Sequence, residues 1–276
     1  MLSQIHRWLP LKSRTSIPRR AYTCLCILGV PRSGSNLLRG LLNDHPDILV
    51  HNEVFCAIAP VRETSLLWEK RPRVPYQKGH IAPYLEEHVF PKDPEGKKVI
   101  GFKLFPSHID YLERGEREWE AIRGIPDLRV LLLRRENYLD IALSAELANR
   151  SMQWISTGQS PPEPAPMVLP INVLLWYFHT MEKHYRTLEE RTRGLDVLPV
   201  TYRDLAGQTQ ETMSNVQRWL GVDPLLLKPD PPMFKQRMVP RSTVILNYEE
   251  LRQRVQREHP EWLRFFLEED LSAVPV

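Results

Sequence analysis

A loop bounded by two glycines, lying between an apolar run and a helical pattern, is the first segment of this chain in which chemistry is expected. The apolar run Tyr22–Leu28 predicts a buried strand, and a helical pattern begins near Ser35. Between them the sequence reads Gly-Val-Pro-Arg-Ser-Gly, from Gly29 to Gly34. A strand that turns sharply into a helix N-terminus points backbone N–H groups outward, and the helix dipole favours negative charge there. The loop therefore predicts a binding site for a phosphate-like anion.

The same loop lacks the lysine of an ATP-binding P-loop. Its two glycines have P-loop spacing, but Ser35 and Asn36 occupy the positions where that motif has Lys followed by Ser or Thr. In a P-loop that lysine contacts the β- and γ-phosphates, and the hydroxyl that follows it contacts Mg²⁺. The residues thus favour a phosphate ligand and argue against ATP bound with Mg²⁺.

A second candidate anion site follows the apolar run Leu128–Leu133. Arg134 and Arg135 come at the end of this predicted strand, where ligands bind in open parallel sheets. The planar Arg135 guanidinium is suited to a phosphate, and Ser144 on the next helical pattern offers a hydroxyl donor. The alternative interpretation is a pair of surface arginines with ion-pair partners such as Asp140.

The elements that must position these residues are those of an α/β domain. Strand-like runs alternate with helical patterns, which predicts βαβ units in a three-layer α/β/α fold with a central parallel sheet. The strand-like runs are Tyr22–Leu28, Lys98–Leu104, Leu128–Leu133 and Val197–Thr201. The helical patterns are Ser35–Asn43, Leu139–Asn149, Val173–Arg191, Thr209–Leu220 and, near the C-terminus, Tyr248–Leu271. We expect residues 21–276 to form a single domain.

Composition restricts the classes of function. The 276 residues are 42% hydrophobic and 26% charged, with a formal charge of +3 that is too mild to indicate nucleic-acid binding. No apolar stretch approaches the length of a membrane span.

Residues 1–20 contain basic residues and no acidic ones. This predicts a disordered basic tail, with an organelle transit peptide as the alternative. We expect a cytoplasmic protein or, if the tail is a transit peptide, an organelle-targeted one. Three cysteines are expected to be buried thiols in a reducing compartment: Cys24, Cys26 and Cys56.

The loop, followed downstream by a strand–Arg…Ser unit, resembles the sulfotransferases that use 3′-phosphoadenosine 5′-phosphosulfate (PAPS). The resemblance implies the P-loop NTPase-like fold of that family and no metal. It implies that the 5′-phosphosulfate is held by Pro31, Arg32, Ser33, Gly34, Ser35 and Asn36. It assigns the 3′-phosphate to Arg135 and Ser144, with Arg134 as a competitor for the role of Arg135. Cytosolic members commonly separate this Arg and Ser by eight residues, whereas the separation here is nine.

The resemblance also proposes a catalytic base. The stretch from Asp44 to Glu53 is similar to the segment of tyrosylprotein and bacterial carbohydrate-type sulfotransferases that supplies a catalytic glutamate. Glu53 is therefore expected to accept the proton of the acceptor hydroxyl, with His51 as the rival base. The steroid- and phenol-type members instead carry a base histidine two residues after a strand lysine, a position that is Phe105 here. This difference favours Glu53.

That strand lysine is Lys103, in the segment Ile100–Pro106. The resemblance places it near the sulfuryl group, where it stabilises charge on the transferring group and the bridging oxygen. The alternative is a strand lysine whose ammonium extends past the sheet edge into solvent. His108, five residues further on, is expected to be structural.

Two more regions are similar to donor-binding parts of the family. Tyr202, at the end of the run Val197–Thr201, is expected to lie against the adenine, with core packing as the alternative. The family usually has Glu after this tyrosine, and Arg203 follows it here. The basic stretch from Phe234 to Arg237 is expected to contact the 3′-phosphate through Lys235 or Arg237.

The resemblance implies a sulfotransferase that transfers a sulfuryl group in line to a hydroxyl, or an amine, of a small metabolite or glycoside, releasing adenosine 3′,5′-bisphosphate (PAP). A P-loop small-molecule kinase is the alternative. The strand end that would have to supply an aspartate for Mg²⁺ carries two arginines instead, which makes it a poor metal-binding site. A non-catalytic binding protein with the same fold is a third possibility. Candidates for an apolar acceptor pocket, or alternatively core residues, are Trp154, Trp176, Tyr177 and Phe178. The residues give no indication of oligomeric state.

Overall fold

Five parallel β-strands form the central sheet of the computed structural model, which describes residues 17–55, 81–109, 115–155, 163–229 and 239–267. The strands are β1 Thr23–Leu28, β2 Ile48–Glu53, β3 Val99–Leu104, β4 Arg129–Arg134 and β5 Asp196–Thr201. Their order across the sheet is β2-β3-β1-β4-β5, so β1 lies at the centre. All four neighbouring pairs are parallel. The predicted α/β fold with a central parallel sheet is confirmed.

Helices cover both faces of this sheet. The helices of the described residues are α1 Ser35–Asp44, α2 Ile81–His88, α3 Pro106–Ile109, α4 Gly115–Arg123, α5 Tyr138–Ser151, α6 Ile171–Arg191, α7 Tyr202–Gly207, α8 Thr209–Leu220, α9 Arg241–Val244, α10 Tyr248–Glu258 and α11 Arg264–Leu267. A short 3₁₀ helix, Pro260–Trp262, lies between α10 and α11. None of the described helices combines the length and apolar character that crossing a membrane requires.

The central strand β1 shows why the sheet has two cores. Cys24 and Cys26 point into the core formed with α2, α4, α5 and α6. Leu25 and Ile27 point to the opposite face, into the core formed with α1 and α8. A strand buried on both faces reads as a continuous apolar run, which is why the sequence predicted it. Both cysteines are free and buried, as expected, and Cys56 lies outside the described residues.

Strand β2 was not predicted, although it carries the expected base. It alternates between buried and partly exposed residues along its whole length, as an edge strand does, but its second half consists of the polar residues His51, Asn52 and Glu53. Polar residues at the end of a six-residue segment interrupt the pattern that identifies a strand. The predicted C-terminal helix is also interrupted, because α10 ends at Glu258 and Pro260 begins the 3₁₀ helix.

The described part of the predicted basic tail packs against the domain. Ile17 is buried, Arg19 forms an ion pair with Asp127, and the Arg20 guanidinium lies 3.8 Å from the Glu86 carboxylate. The side chains of Ile17, Arg19 and Arg20, within the segment expected to be a tail, thus contact residues of the domain. Residues 1–16 lie outside the described residues.

The carboxyl ends of the five strands meet at one edge of the sheet, because all the strands are parallel. The glycine-bounded loop follows β1, while Glu53 and Lys103 lie near the ends of β2 and β3. Arg135 follows β4, and Tyr202 follows β5. Ligands of open α/β sheets bind at this edge. The fold thus gathers side chains that are far apart in sequence into one region.

Candidate active site

The loop after β1 forms a tight turn that delivers the chain into α1. The Ser33 backbone N–H and hydroxyl both donate to the Val30 carbonyl, at 3.2 and 2.7 Å. Arg32 has a φ of 66° and Gly34 a φ of 96°, so the turn passes twice through the left-handed region. Gly34 is the N-cap of α1 and has no side chain to accept hydrogen bonds from the first turn. The N–H groups of that turn therefore face the space above the loop, where an anion binds favourably.

Gly34 is required for a second reason, which is the position of Tyr202. A Cβ atom at Gly34 would lie 2.4 Å from Cδ2 of the Tyr202 ring, a distance that no side chain tolerates. Tyr202 is the first residue of α7, and the Thr201 side chain caps that helix by accepting from the Asp204 N–H. The tyrosine ring is thus held against the loop. Tyr202, which is expected to lie against the adenine, is therefore directly beside the loop that is predicted to bind an anion.

Arg135 also packs against this ring. Its guanidinium carbon lies 4.5 Å from the centre of the Tyr202 ring, and its Nη1 donates to the Arg32 carbonyl at 3.0 Å. Its backbone N–H donates to the Tyr185 hydroxyl at 2.9 Å. Arg135 is thereby fixed next to the loop, as the PAPS resemblance implies for a 3′-phosphate ligand.

Arg134, the competing residue, points elsewhere. Its Nη1 lies 2.7 Å from Glu189 Oε1 on α6, and its guanidinium lies over the Tyr185 ring at 5.0 Å. Consecutive residues at a strand end point to opposite faces, so only one of the two arginines can face the loop. The geometry favours Arg135 over Arg134.

Ser144 also reaches the loop, through Arg32. The Arg32 Nε donates to the Ser144 hydroxyl oxygen at 3.0 Å, and its Nη1 donates to the Trp154 carbonyl. Strand β4 ends at Arg134 and α5 begins at Tyr138, so residues 135–137 connect the two elements. The separation of nine residues between Arg135 and Ser144 therefore still places both side chains at the anion loop.

Positive charge is concentrated at this point. Burial lowers the pKa of Arg32 and the like charge of Arg135 lowers it further, to about 10, although Tyr202 and Glu53 oppose this change. At neutral pH Arg32 is still a cation. Because burial and a neighbouring arginine disfavour its charge, an anion bound here relieves the repulsion.

Lys103 joins the loop to Glu53. Its side chain is fully buried, its Nζ donates to Asn36 Oδ1 at 2.6 Å, and the same nitrogen lies 2.9 Å from Glu53 Oε1. The alternative of a lysine extending to solvent is therefore wrong. Three residues that the sequence singled out separately form one connected group on the α1 side of the sheet.

An irregularity in the pairing of β2 with β3 separates Glu53 from His51. His51 pairs with Phe102, yet Glu53 pairs with Lys103, so one extra residue has been inserted into β2. Paired residues of neighbouring strands share a face, whereas Phe102 and Lys103 point to opposite faces. Glu53 consequently lies on the face of Lys103 and α1, and His51 lies on the other. A β-bulge next to a site commonly redirects a side chain in this way.

His108 is a site residue that sequence reasoning missed, since it was expected to be only structural. Its Nε2 lies 3.5 Å from Glu53 Oε2. Its Nδ1 accepts from the Phe105 backbone N–H at 3.4 Å, an arrangement in which Nε2 carries the proton and donates to Glu53. The sequence offered one indication of this role, because His108 lies only four residues after the end of β3. The segment that begins with Pro106 folds as the short helix α3.

Glu53 is an ionised carboxylate held by two donors. Its side chain is 23% exposed, and burial alone raises its pKa. The Lys103 charge and the His108 hydrogen bond outweigh burial and hold the pKa of Glu53 well below its usual range. The carboxylate is therefore fully ionised at neutral pH and acts only as a hydrogen-bond acceptor.

The residues proposed for an acceptor pocket divide into two groups. Trp154 and Trp176 are 43% and 58% exposed, and the Tyr177 hydroxyl donates to Glu146 at 3.2 Å. Phe178 is fully buried and packs edge-on against Trp262 and Phe265, which agrees with the interpretation of a core residue. Lys235 and Arg237 lie outside the described residues.

Comparison with known proteins identifies relatives of the chain. The model of a family described as the sulfotransferase family matches residues 25–225. The chain is 25% identical to nodulation protein H of Rhizobium meliloti (strain 1021) over 248 residues, which cover 87% of this chain and 93% of the relative. It is 26% identical to nodulation protein H of Rhizobium tropici over 204 residues, covering 71% and 74% respectively. A mouse sulfotransferase, SULT7A1, solved in complex with PAP, aligns with a TM-score of 0.40 at 13% identity, over 74% of this chain and 61% of that chain.

Proposed function

The chain belongs to the sulfotransferase family, and on that premise we propose that it transfers a sulfuryl group from PAPS to a hydroxyl, or an amine, of a small metabolite or glycoside, with Glu53 as the base. The observation that carries this proposal is the position of Lys103. Its ammonium contacts both Asn36, in the first turn of α1 directly after the anion loop, and the carboxylate of Glu53. An anion cradle and a candidate base are thereby joined through one cation.

The residues of this edge fit a donor that carries two separate phosphate groups. The first turn of α1 has no side-chain cap, and it follows directly on the loop residues Arg32, Ser33 and Gly34. Together this turn and this loop are suited to the 5′-phosphosulfate. Arg135 and Ser144 both contact Arg32 of the loop, but they belong to the β4–α5 connection and to α5, as a second phosphate requires. The paired positive charge of Arg32 and Arg135 supports the same assignment, because it favours a polyanion. A contact of Tyr202 with the adenine is part of the proposal, as are contacts of Lys235 or Arg237 with the 3′-phosphate.

The proposed chemical step is an in-line substitution at sulfur. A bond forms between the acceptor oxygen and sulfur while the bond from sulfur to the 5′-phosphate oxygen breaks, and PAP leaves. The acceptor's proton passes to Glu53, whose two oxygens are oriented by Lys103 and His108. Lys103 then stabilises the charge that develops on the oxygen between sulfur and phosphate. Positioned donors therefore contribute most of the catalysis, as in phosphoryl transfer.

The low basicity of Glu53 is compatible with this role. A carboxylate whose pKa is depressed takes a proton only from a group that has become acidic, and a hydroxyl becomes acidic as it bonds to sulfur. An anionic donor beside Lys103 also competes with Glu53 for the same ammonium. We therefore expect donor binding to raise the pKa of Glu53 towards its ordinary range, so that the base becomes stronger when the donor is present.

A transfer assay with sulfur-labelled PAPS tests the proposed function. Panels of hydroxylated metabolites, glycosides and amines are each incubated with the protein and labelled donor, and labelled products are separated and counted. Transfer of label that disappears in Glu53→Gln supports the proposal. Transfer of labelled γ-phosphate from ATP with Mg²⁺ to the same panels, with none from PAPS, would support the kinase alternative and contradict the proposal.

A further inference from the structure

We propose that Arg241 and Asp140 are positioning residues for Arg135, and that they set the preference of the site for a donor with a 3′-phosphate. This inference rests on the proposed function, because it takes Arg135 as the ligand of that phosphate. Arg241 contacts Asp140, and Asp140 lies beside Arg135, so we infer that both act through Arg135.

Asp140 and Arg241 form a buried ion pair between distant parts of the chain. Asp140 lies in the first turn of α5 and is 4% exposed, and Arg241 begins α9 and is 1% exposed. Arg241 Nε lies 2.9 Å from Oδ1 of Asp140, and Nη2 lies 3.1 Å from Oδ2. Its remaining Nη1 donates to the Phe265 carbonyl at 2.9 Å. This two-pronged contact fixes the plane of the carboxylate.

The same carboxylate also faces the anion site. Asp140 Oδ2 lies 3.8 Å from Arg135 Nη2, a distance at which it attracts the guanidinium without closing a hydrogen bond. Asp140 therefore lies between two arginines and is bound more closely by Arg241. Arg135 keeps its closer contacts with the Arg32 carbonyl and the Tyr202 ring, both on the loop side.

The charges explain why Arg241 matters for a ligand that it does not touch. Two arginines and one aspartate leave this group with one net positive charge, which is available to a phosphate. If Arg241 loses its charge, Asp140 becomes a buried carboxylate whose nearest remaining cation among the contacts described above is Arg135. Such a buried charge is costly unless it is paired. The Arg135 guanidinium is then drawn towards Asp140 and away from the loop, while the first turn of α1 is unchanged.

The expected result is a selective loss of affinity for the 3′-phosphate. Binding of PAP and of adenosine 5′-monophosphate (AMP), which lacks that phosphate, is measured by calorimetry with the full chain. In the wild type, PAP binds more tightly than AMP. In Arg241→Gln, which keeps hydrogen-bonding capacity but no charge, PAP affinity falls about tenfold and AMP affinity changes by less than about twofold. In Asp140→Asn/Arg241→Gln no charged carboxylate competes for Arg135, and PAP affinity returns to within about threefold of the wild type.

Two further variants complete the test. Arg134→Gln removes a neighbouring cation that pairs with Glu189 instead, and should leave the ratio of PAP to AMP affinity unchanged. If Arg241→Gln does not fold, Arg241→Lys keeps the charge but not the two-pronged contact, and a smaller loss of PAP affinity is expected.

Two results overturn the inference. One is an unchanged PAP-to-AMP ratio in Arg241→Gln or, where it replaces that variant, in Arg241→Lys. The other is a double variant as weak as Arg241→Gln. A wild-type protein that binds AMP as tightly as PAP would instead contradict the proposed function itself.

Discussion

His108 Nε2 lies 3.5 Å from Glu53 Oε2, and two local features of the backbone, a bulge and a short helix, bring these residues together. The inserted residue in β2 turns Glu53 to the α1 side of the sheet, and the short helix α3 brings His108 back over the end of β3. Lys103 contacts the other carboxylate oxygen at 2.9 Å. A carboxylate held at both oxygens by fixed donors has one orientation, which is what proton transfer from a bound acceptor requires.

Replacing Glu53 by Gln should abolish most turnover and preserve donor binding. The amide keeps the shape of the side chain but cannot accept the acceptor's proton, so we expect kcat to fall by about 10²–10⁴-fold. PAP affinity, measured by calorimetry, should be retained or increased, since Glu53 is not a proposed donor ligand and its charge competes with the donor for Lys103. Glu120→Gln, at an exposed position on α4, is the matched control and should behave as the wild type. Near-normal turnover in Glu53→Gln would show that another group is the base.

Removing His108 should lower turnover through Glu53. His108→Ala deletes the donor to Oε2, and we expect kcat to fall by about 10- to 100-fold with little change in the KM for the donor. His108→Gln retains a donor of similar reach and should recover much of this loss. In a Glu53→Gln background His108→Ala should have no further effect, because its action depends on the carboxylate. Additive losses in the double variant would contradict this coupling.

Lys103→Met should raise the pKa of Glu53. In the wild type the charges and hydrogen bonds of Lys103 and His108 together outweigh burial, so the carboxylate stays ionised as the pH falls through the usual glutamate range of about 4.3. Without the ammonium, the effect of burial is opposed mainly by His108, and protonation should occur at higher pH than in the wild type. The side-chain carboxyl signal can be followed by ¹³C NMR, with Glu53→Gln to assign it. An identical titration in both proteins would show that Lys103 does not control this carboxylate.

Gly34→Ala should be more damaging than the same change at a comparable glycine. Gly194 has a φ of 80°, and a Cβ atom added there would meet nothing within 4 Å, so Gly194→Ala reports only the cost of a left-handed alanine, about 1–2 kcal/mol. At Gly34 the methyl group also meets the Tyr202 ring. We expect an additional destabilisation of about 1–3 kcal/mol in chemical denaturation, together with weakened PAP binding. Equal stabilities of the two variants would mean that the contact with Tyr202 is not tight.

The sequence predicted the fold well because its central strands are buried on both faces. β1, β3 and β4 read as apolar runs, and the two cores they separate follow from that pattern. Helix α4 was missed, since its segment is largely charged and only Trp119 and Ile122 mark its apolar face. The edge strand β2 was missed because its polar end resembles a loop.

The site was predictable only in part, for a geometric reason. Loop residues such as Gly34 are identified by local spacing, because their role depends on neighbours in the chain. The positions of Glu53 and His108 depend on a bulge and a short helix, and neither of these produces a periodic pattern in the sequence. Asp140 and Arg241 are 101 residues apart, so their ion pair is visible only in the folded chain.

A calorimetric comparison of PAP with ATP in the presence of Mg²⁺ tests most directly whether the loop and Arg135 recognise a phosphosulfate donor. We expect PAP to bind with a dissociation constant in the micromolar range or below, and chelation of divalent cations to leave this affinity unchanged. ATP with Mg²⁺ should bind at least about tenfold more weakly. Tighter binding of ATP with Mg²⁺ than of PAP would contradict the central claim that this site is built for a phosphosulfate donor.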